Sequence, residues 1–307
     1  MTVGTVGTRL PWMGAGMPLI GVGSAREALV RAGLDWEVGQ EPLFMEGGKP
    51  VGGFRAVVRR DSGAPLGIVS TSWRPVQNSA LADLCDSIAR ESGARFEAVG
   101  SSRGGRVVWF VLQLREGFSI AGDEMKTFVL VSNAHDGSRS VRACLTPIRV
   151  ACANSIRLAD SRGSGVIAIR HTATASERMR TAQRVLSCAV DDLAKFRERA
   201  EALAARPMTD PQVSEFVEAM IPLPDGDGAE HPRILASRES VRARILGEGI
   251  ALDRPQILAT RWSALQGLIE HLDHGRRFKD DEQRFRSVML DGSAALKSRA
   301  LRFLSEN

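Results

Sequence analysis

The sequence predicts an α+β fold. An antiparallel sheet of hairpins with packed helices fills the first half, and a helical second half contains one long heptad-patterned helix. Three observations carry this. Short β-rich runs separated by Gly, Asp and Ser turn signals occupy residues 35–146. Near residue 173 the pattern changes from strand alternation to helical spacing. That spacing then persists at Met179, Ala182, Leu186, Ala189, Leu193, Phe196, Ala200 and Leu203, until Pro207 stops it. The expected division is a mixed α+β domain over 1–172 and a helical region over 173–307 that packs on it or extends from it.

Each element follows from its local pattern. Ser24-x-x-Glu27 is a capping box opening a short helix to about residue 32. Residues 35–44 read as a first strand. Residues 53–60 and 66–71 read as strands separated by Asp61-Ser62-Gly63, a turn signal. Asn78 or Ser79 caps a helix over 80–91, whose Leu81, Leu84, Cys85 and Ile88 fall at helical spacing, and Gly93 ends it. Residues 95–100 and 106–114 form a hairpin around Gly104-Gly105, which supply the positive φ of a tight turn.

A further hairpin joins 126–132 to 139–146 through His135-Asp136-Gly137. On its return strand Val141, Ala143 and Leu145 share one face, while Arg142, Cys144 and Thr146 share the other. The second face therefore does not read as plain core. Pro147 lacks a ladder donor, so the strand should end or reach an edge there, and 148–158 should begin a helix or bend across the sheet. A loop at 161–165 leads to a short strand at 166–170. Thr174-x-x-Glu177 caps the heptad helix, which at about 30 residues is about 45 Å long. It is expected to pack on other helices of the chain. Thr209-x-x-Gln212 caps a shorter helix with Pro211 in its first turn. A loop at 222–232 precedes helices near 235–247, 260–274, 281–290 and 293–305.

Composition bounds the function. A hydrophobic fraction of 43% and a charged fraction of 25% over 307 residues fit a globular protein. The formal charge of +5 suits a polyanionic partner without singling one out. Cys85, Cys144, Cys152 and Cys188 form no C-x-x-C and no zinc-type cluster, which fits a reducing cytoplasm and no metal. No apolar run of about 18 residues predicts a membrane span. The apolar stretch at 10–22 is broken by two prolines and three glycines, unlike a signal peptide.

The order of the motifs resembles the phage/plasmid-like family built on domain-of-unknown-function family 932. The residues that carry the resemblance are G-L-D-W at 33–36, F-R-A-V-V-R-R-D-S-G at 54–63, L-G-I-V at 66–69 and P-V-Q-N at 75–78. They continue with G-S-S-R-G-G-R at 100–106, S-N-A-H-D-G-S at 132–138, V-R at 141–142 and T-P-I-R-V-A-C-A-N at 146–154. I-R-H-T at 169–172 and W-S-A-L-Q-G-L-I-E-H-L-D-H at 262–274 extend it into the helical half. Two positions depart: Trp12-Met13 replaces the family's Trp-His, and Gln266 stands where Asn is expected. The resemblance implies a setting of mobile-element replication, recombination or host takeover in a bacterial cytoplasm, not a reaction.

Three functions remain. The favoured one is a nucleic-acid-binding protein that binds or anneals single-stranded DNA and assembles through its helical surfaces. Its candidate contacts are Arg74, Arg103, Arg106, Arg142, Arg149, Arg157 and Asn154, with Trp73 and Trp109 as stacking groups. Trp109 lies in an apolar strand, which favours core, and the absence of Tyr limits the stacking area. The alternative is a non-catalytic interaction protein, a host-defence antagonist or assembly factor, for which the acidic loop at Asp225-Gly226-Asp227 would serve. Third is a hydrolase using His135 and Asp136. Neighbours on a strand face opposite ways, and Asp-Gly is turn chemistry, so a structural Asx turn is the better reading there. His271 and His274 flank Asp273 without an H-E-x-x-H pattern. No nucleotide-binding glycine motif appears, and no cofactor is expected.

Overall fold

A computed structural model describes residues 9–156, 166–179, 182–224, 231–249 and 257–306, with backbone alone for 166, 176 and 182–190. The fold is α+β, with antiparallel sheets in the first half and helices in the second. Strands β1 (Met17–Pro18), β5 (Arg95–Ser102), β6 (Val107–Ile120), β7 (Asp123–Ala134), β8 (Val141–Arg149) and β9 (Val166–Ile169) form a six-stranded sheet in the order β1-β5-β6-β7-β8-β9. Strands β2 (Val38–Phe44), β3 (Pro50–Arg59) and β4 (Pro65–Ser70) form a separate three-stranded sheet.

The central strands of the large sheet are apolar on both sides because both sides are covered. Val108, Phe110 and Leu112 of β6 join the main core with α2 (Asn78–Ser92), α4 (Ala182–Ala204) and α7 (Arg261–Glu270). Val107, Trp109 and Val111 face a second core with Trp12, Phe285, Val288 and Met289. The latter three belong to α8 (Asp281–Phe285) and its π-helical continuation. A strand sandwiched this way reads as a continuous hydrophobic run. This corrects the reading of the Arg142–Cys144–Thr146 face: Cys144 and Thr146 are buried and Arg142 is half-buried.

The helices pack onto the sheet. α1 (Ala25–Arg31) is capped as expected, Ser24 Oγ accepting from Glu27 N at 3.2 Å. α2 begins at Asn78 after the cap residue Gln77, so Asn78 is an internal, buried residue rather than a cap. The heptad segment is described as α3 (Ala175–Met179) and α4, and 180–181 lie outside the described residues. Its Phe196 meets Phe118 and Trp262, and Ala200 and Leu203 are buried in the main core. The described seam is therefore occupied within the chain. α5 (Asp210–Met220), α6 (Pro232–Ala243) and α9 (Gly292–Glu306) complete the helical half.

β8 runs through Pro147 to Arg149, two residues past the expected stop. β9 pairs only with Val141–Cys144, so nothing on that side requires a donor from Pro147. After Arg149 the chain turns back sharply, and Ile156 N donates to Pro147 O at 2.9 Å. Ala153 at φ +54° makes that bend.

Candidate nucleic-acid interface

The arginines singled out by sequence do not form one line. Arg149 is buried and grips Asp123 with two bonds of 2.7 Å, and Trp262 Nε1 donates to the same carboxylate at 3.0 Å. Asn154 is buried, its Nδ2 donating to Gln266 O at 3.1 Å and Oε1 at 3.0 Å. Neither offers a donor to a ligand in solvent, which removes them as phosphate contacts. Arg142 is half-buried between Ser132 and Ala168 in the ladder. Arg103 sits at the β5–β6 tip with φ +56°, near Asp136 at 3.6 Å and Asp291 at 3.9 Å. Arg157 lies outside the described residues. Arg74 and Arg106 are exposed.

The weak catalytic candidates are structural. His135 Nε2 meets Asn78 Oδ1 at 2.9 Å, while Asn78 Nδ2 donates to Leu34 O at 2.9 Å. The Asn oxygen is thus the acceptor, and His135 carries its proton on Nε2. Burial pushes the imidazole down to about 3, with His171 adding to the effect and Asp136 opposing it. Asp136 Oδ1 accepts from Ser138 N at 2.9 Å, the expected Asx turn. Trp109 is fully buried, stacked on Phe285 at 4.0 Å.

The polar residues that sequence reading missed lie where the 146–154 and 262–274 motifs meet inside the protein. Lys297 Nζ lies 2.6 Å from Asp273 Oδ1 and donates to Ser155 O at 2.8 Å. Ser155 Oγ donates to Asp273 Oδ2 at 2.9 Å. All three are buried. Cys152 is buried nearby, and burial pushes its thiol up to about 11, so it is not a ready nucleophile. This network joins β7 and the bend after β8 to the helical half. His271 and His274 are both held below the usual imidazole range, chiefly by burial, and no metal-holding cluster exists among the described residues.

One solvent-facing surface combines cations with exposed apolar side chains, one of them aromatic: the outer face of the small sheet. On β3, Phe54, Ala56 and the buried Val58 alternate onto one side, and Arg60 follows them. Arg60 lies over Gly39, where a Cβ would sit 2.2 Å from its Nε. Across the ladder, Phe54 opposes Ser70 and Ala56 opposes Ile68. Phe54 is 51% exposed and Ile68 is 63% exposed. Beyond Ser70, Trp73 stacks half-buried on His171 at 4.6 Å, and Arg74 N donates to His171 O at 3.1 Å. Arg74 thus stands beside the β4 end of the sheet, its Nη1 donating to Thr71 O at 2.7 Å and to Trp73 O at 3.1 Å, and Arg60 stands at the other end. Neither makes an ion pair among the described residues. Glu41 places one carboxylate on the β2 side. Alternation on β3 was readable from sequence, but R-A-V-V-R-R is mixed on both faces and does not reveal which one is covered.

The profile of the family described as "Domain of unknown function (DUF932)" matches residues 65–289. Comparison with curated proteins found no match, and comparison with solved structures found none. The match begins at β4 and runs through α8, so it includes the whole buried network except Lys297. Covering more than half of the sequence, it shows that the chain belongs to the DUF932 family.

Proposed function

We propose that the protein is a non-catalytic binder of single-stranded nucleic acid, of the kind phages and plasmids use in replication or recombination. The outer face of the small sheet is its contact surface. The observation that carries this is the exposed Phe54–Ile68 strip with Arg74 at one end and Arg60 at the other. Single-strand binding calls for this pairing: cations follow the phosphates, and an aromatic face such as that of Phe54 accepts an unstacked base without reading sequence. Arg106, exposed at the β5–β6 tip, adds charge near the Arg60 end: its neighbour Gly105 lies against Trp36 and Arg59.

A labelled oligothymidylate titrated at several salt concentrations tests the proposal. Log affinity should fall linearly with log salt, and Arg74→Ala or Arg60→Ala should each lower the slope by about 0.7. Phe54→Ala should weaken binding by about 1–3 kcal/mol with the slope unchanged. No binding at about 50 mM salt, where non-specific contacts are strongest, would sink the proposal.

A further inference from the structure

The corner where β4 leaves the small sheet is lined with hydroxyls. Ser70 ends β4 on the outer face, directly opposite Phe54 of β3. Residues opposed in this way stand about 5 Å apart at Cβ. A turn follows, Trp73 N donating to Ser70 O at 3.1 Å, and it brings Ser72 back beside Ser70 with 2.8 Å between the two Oγ atoms. Ser70, Thr71 and Ser72 are all exposed. The backbone closes the turn, so the turn does not consume the two serine hydroxyls.

Two hydroxyls in contact keep bonding capacity. Each carries one O–H donor and two acceptor lone pairs, and their mutual bond uses one donor and one acceptor. The pair therefore still presents an O–H and lone pairs to solvent.

Position gives the pair a role. In a nucleotide the sugar joins the base to the phosphate. Phe54 is the aromatic group of the outer strip, and Arg74 is the exposed cation at this end of the sheet. The Arg74 guanidinium is tied to the same turn through Thr71 O and Trp73 O. The hydroxyl pair lies between the two, on the path of a sugar whose base rests on Phe54 and whose phosphate meets Arg74. Glu41 stands opposite Ala56, two residues along β3 on the side away from this turn, so its carboxylate does not face that path.

We propose that this face selects RNA over DNA, the Ser70–Ser72 hydroxyl pair bonding the ribose 2′-hydroxyl. That group is both donor and acceptor and matches either member of the pair, whereas deoxyribose offers only C–H there. The preference rests on the outer face of the small sheet being the contact surface. It gives that surface a means of telling the two sugars apart, which stacking on Phe54 and attraction to the arginines do not supply, since both polymers share bases and phosphates.

Oligouridylate and oligodeoxyuridylate of one length differ only at the 2′ position, and fluorescence anisotropy of each with the full chain reads the preference. At one salt concentration the ribose form should bind about two- to tenfold more tightly, the range of one net hydrogen bond. The 2′-O-methyl form, which has no donor there and carries a methyl group, should bind like the deoxy form. Ser70→Ala with Ser72→Ala should remove the preference, and both side chains are exposed, so the core is untouched. Equal binding of the two polymers, or tighter binding of the deoxy form, would overturn the RNA preference and leave the contact surface standing. A ribose preference that survives in the double serine variant would overturn the assignment to the hydroxyl pair. Binding of neither polymer at about 50 mM salt would remove the contact surface and the preference with it.

Discussion

Arg149 shows how one residue type carries opposite roles at neighbouring positions. Its guanidinium is buried and bidentate on Asp123, which Trp262 also holds. Truncation leaves that carboxylate buried without its cation, which costs about 3–5 kcal/mol. Urea unfolding of Arg149→Ala should show a loss of that size, whereas Arg106→Ala, exposed at a turn, should stay within about 0.5 kcal/mol. A small loss at Arg149 would mean that the buried pair is not formed. His135 carries the pH dependence at this scale. Its folded pKa of about 3 lies below the ordinary 6.5, so the unfolded chain takes up the proton first as pH falls. The stabilisation is complete above about pH 6.5 and is lost progressively toward pH 3. Between pH 7 and 5 this amounts to about 2 kcal/mol. His271, held at about 4 by burial and then by Arg244 and Arg276, adds loss of the same sign. Urea midpoints should therefore fall between pH 7 and 5, and His135→Gln should flatten part of that fall. A wild-type midpoint that does not move would exclude a neutral buried His135.

At the scale of elements, the two sheets meet through a glycine. A Cβ on Gly67 of β4 would lie 2.6 Å from Asp136 Cα, backbone against backbone. The β7–β8 turn thereby packs on the covered face of β4, the side on which Val57 and Val69 are buried. Gly67→Ala should destabilise by about 1–3 kcal/mol, the usual cost of forced overpacking, measurable as a lower urea midpoint. An unchanged midpoint would show that the turn moves aside freely. The elements themselves were largely legible. Gly104-Gly105 and Asp136-Gly137 turn the chain where their chemistry requires, and Ser24 caps α1 through Glu27. Strand ends were less legible, because β6 and β7 extend to Ile120 and Asp123 through pairing with each other rather than through propensity. Asn78 was misread as a cap because its side chain instead satisfies Leu34 O and His135 across long sequence separations.

At the scale of the whole molecule, the large sheet is covered on both faces by helices from the second half. The described part of the α4 seam, Leu193 to Leu203, thus closes a core instead of offering an outer stripe. Unsatisfied surface remains on the small sheet: its outer strip, proposed to hold nucleic acid, and the exposed ribbon at 44–52. The net charge of +5 is small, so the proposed nucleic-acid contact rests on where the arginines stand rather than on the total.

Periodicity, turn chemistry and capping by themselves determined that this chain is α+β, strand-rich first and helical after, since those signals act over a few residues. The family resemblance singled out the two motifs at 146–154 and 262–274. Only the tertiary structure decided that these motifs face each other in a buried network, that Arg149 is scaffold, and that Phe54 and Ile68 face solvent. Burial depends on partners distant in sequence, such as Asp123 and Trp262 at a separation of 139, and no local pattern encodes which face of a strand those partners cover.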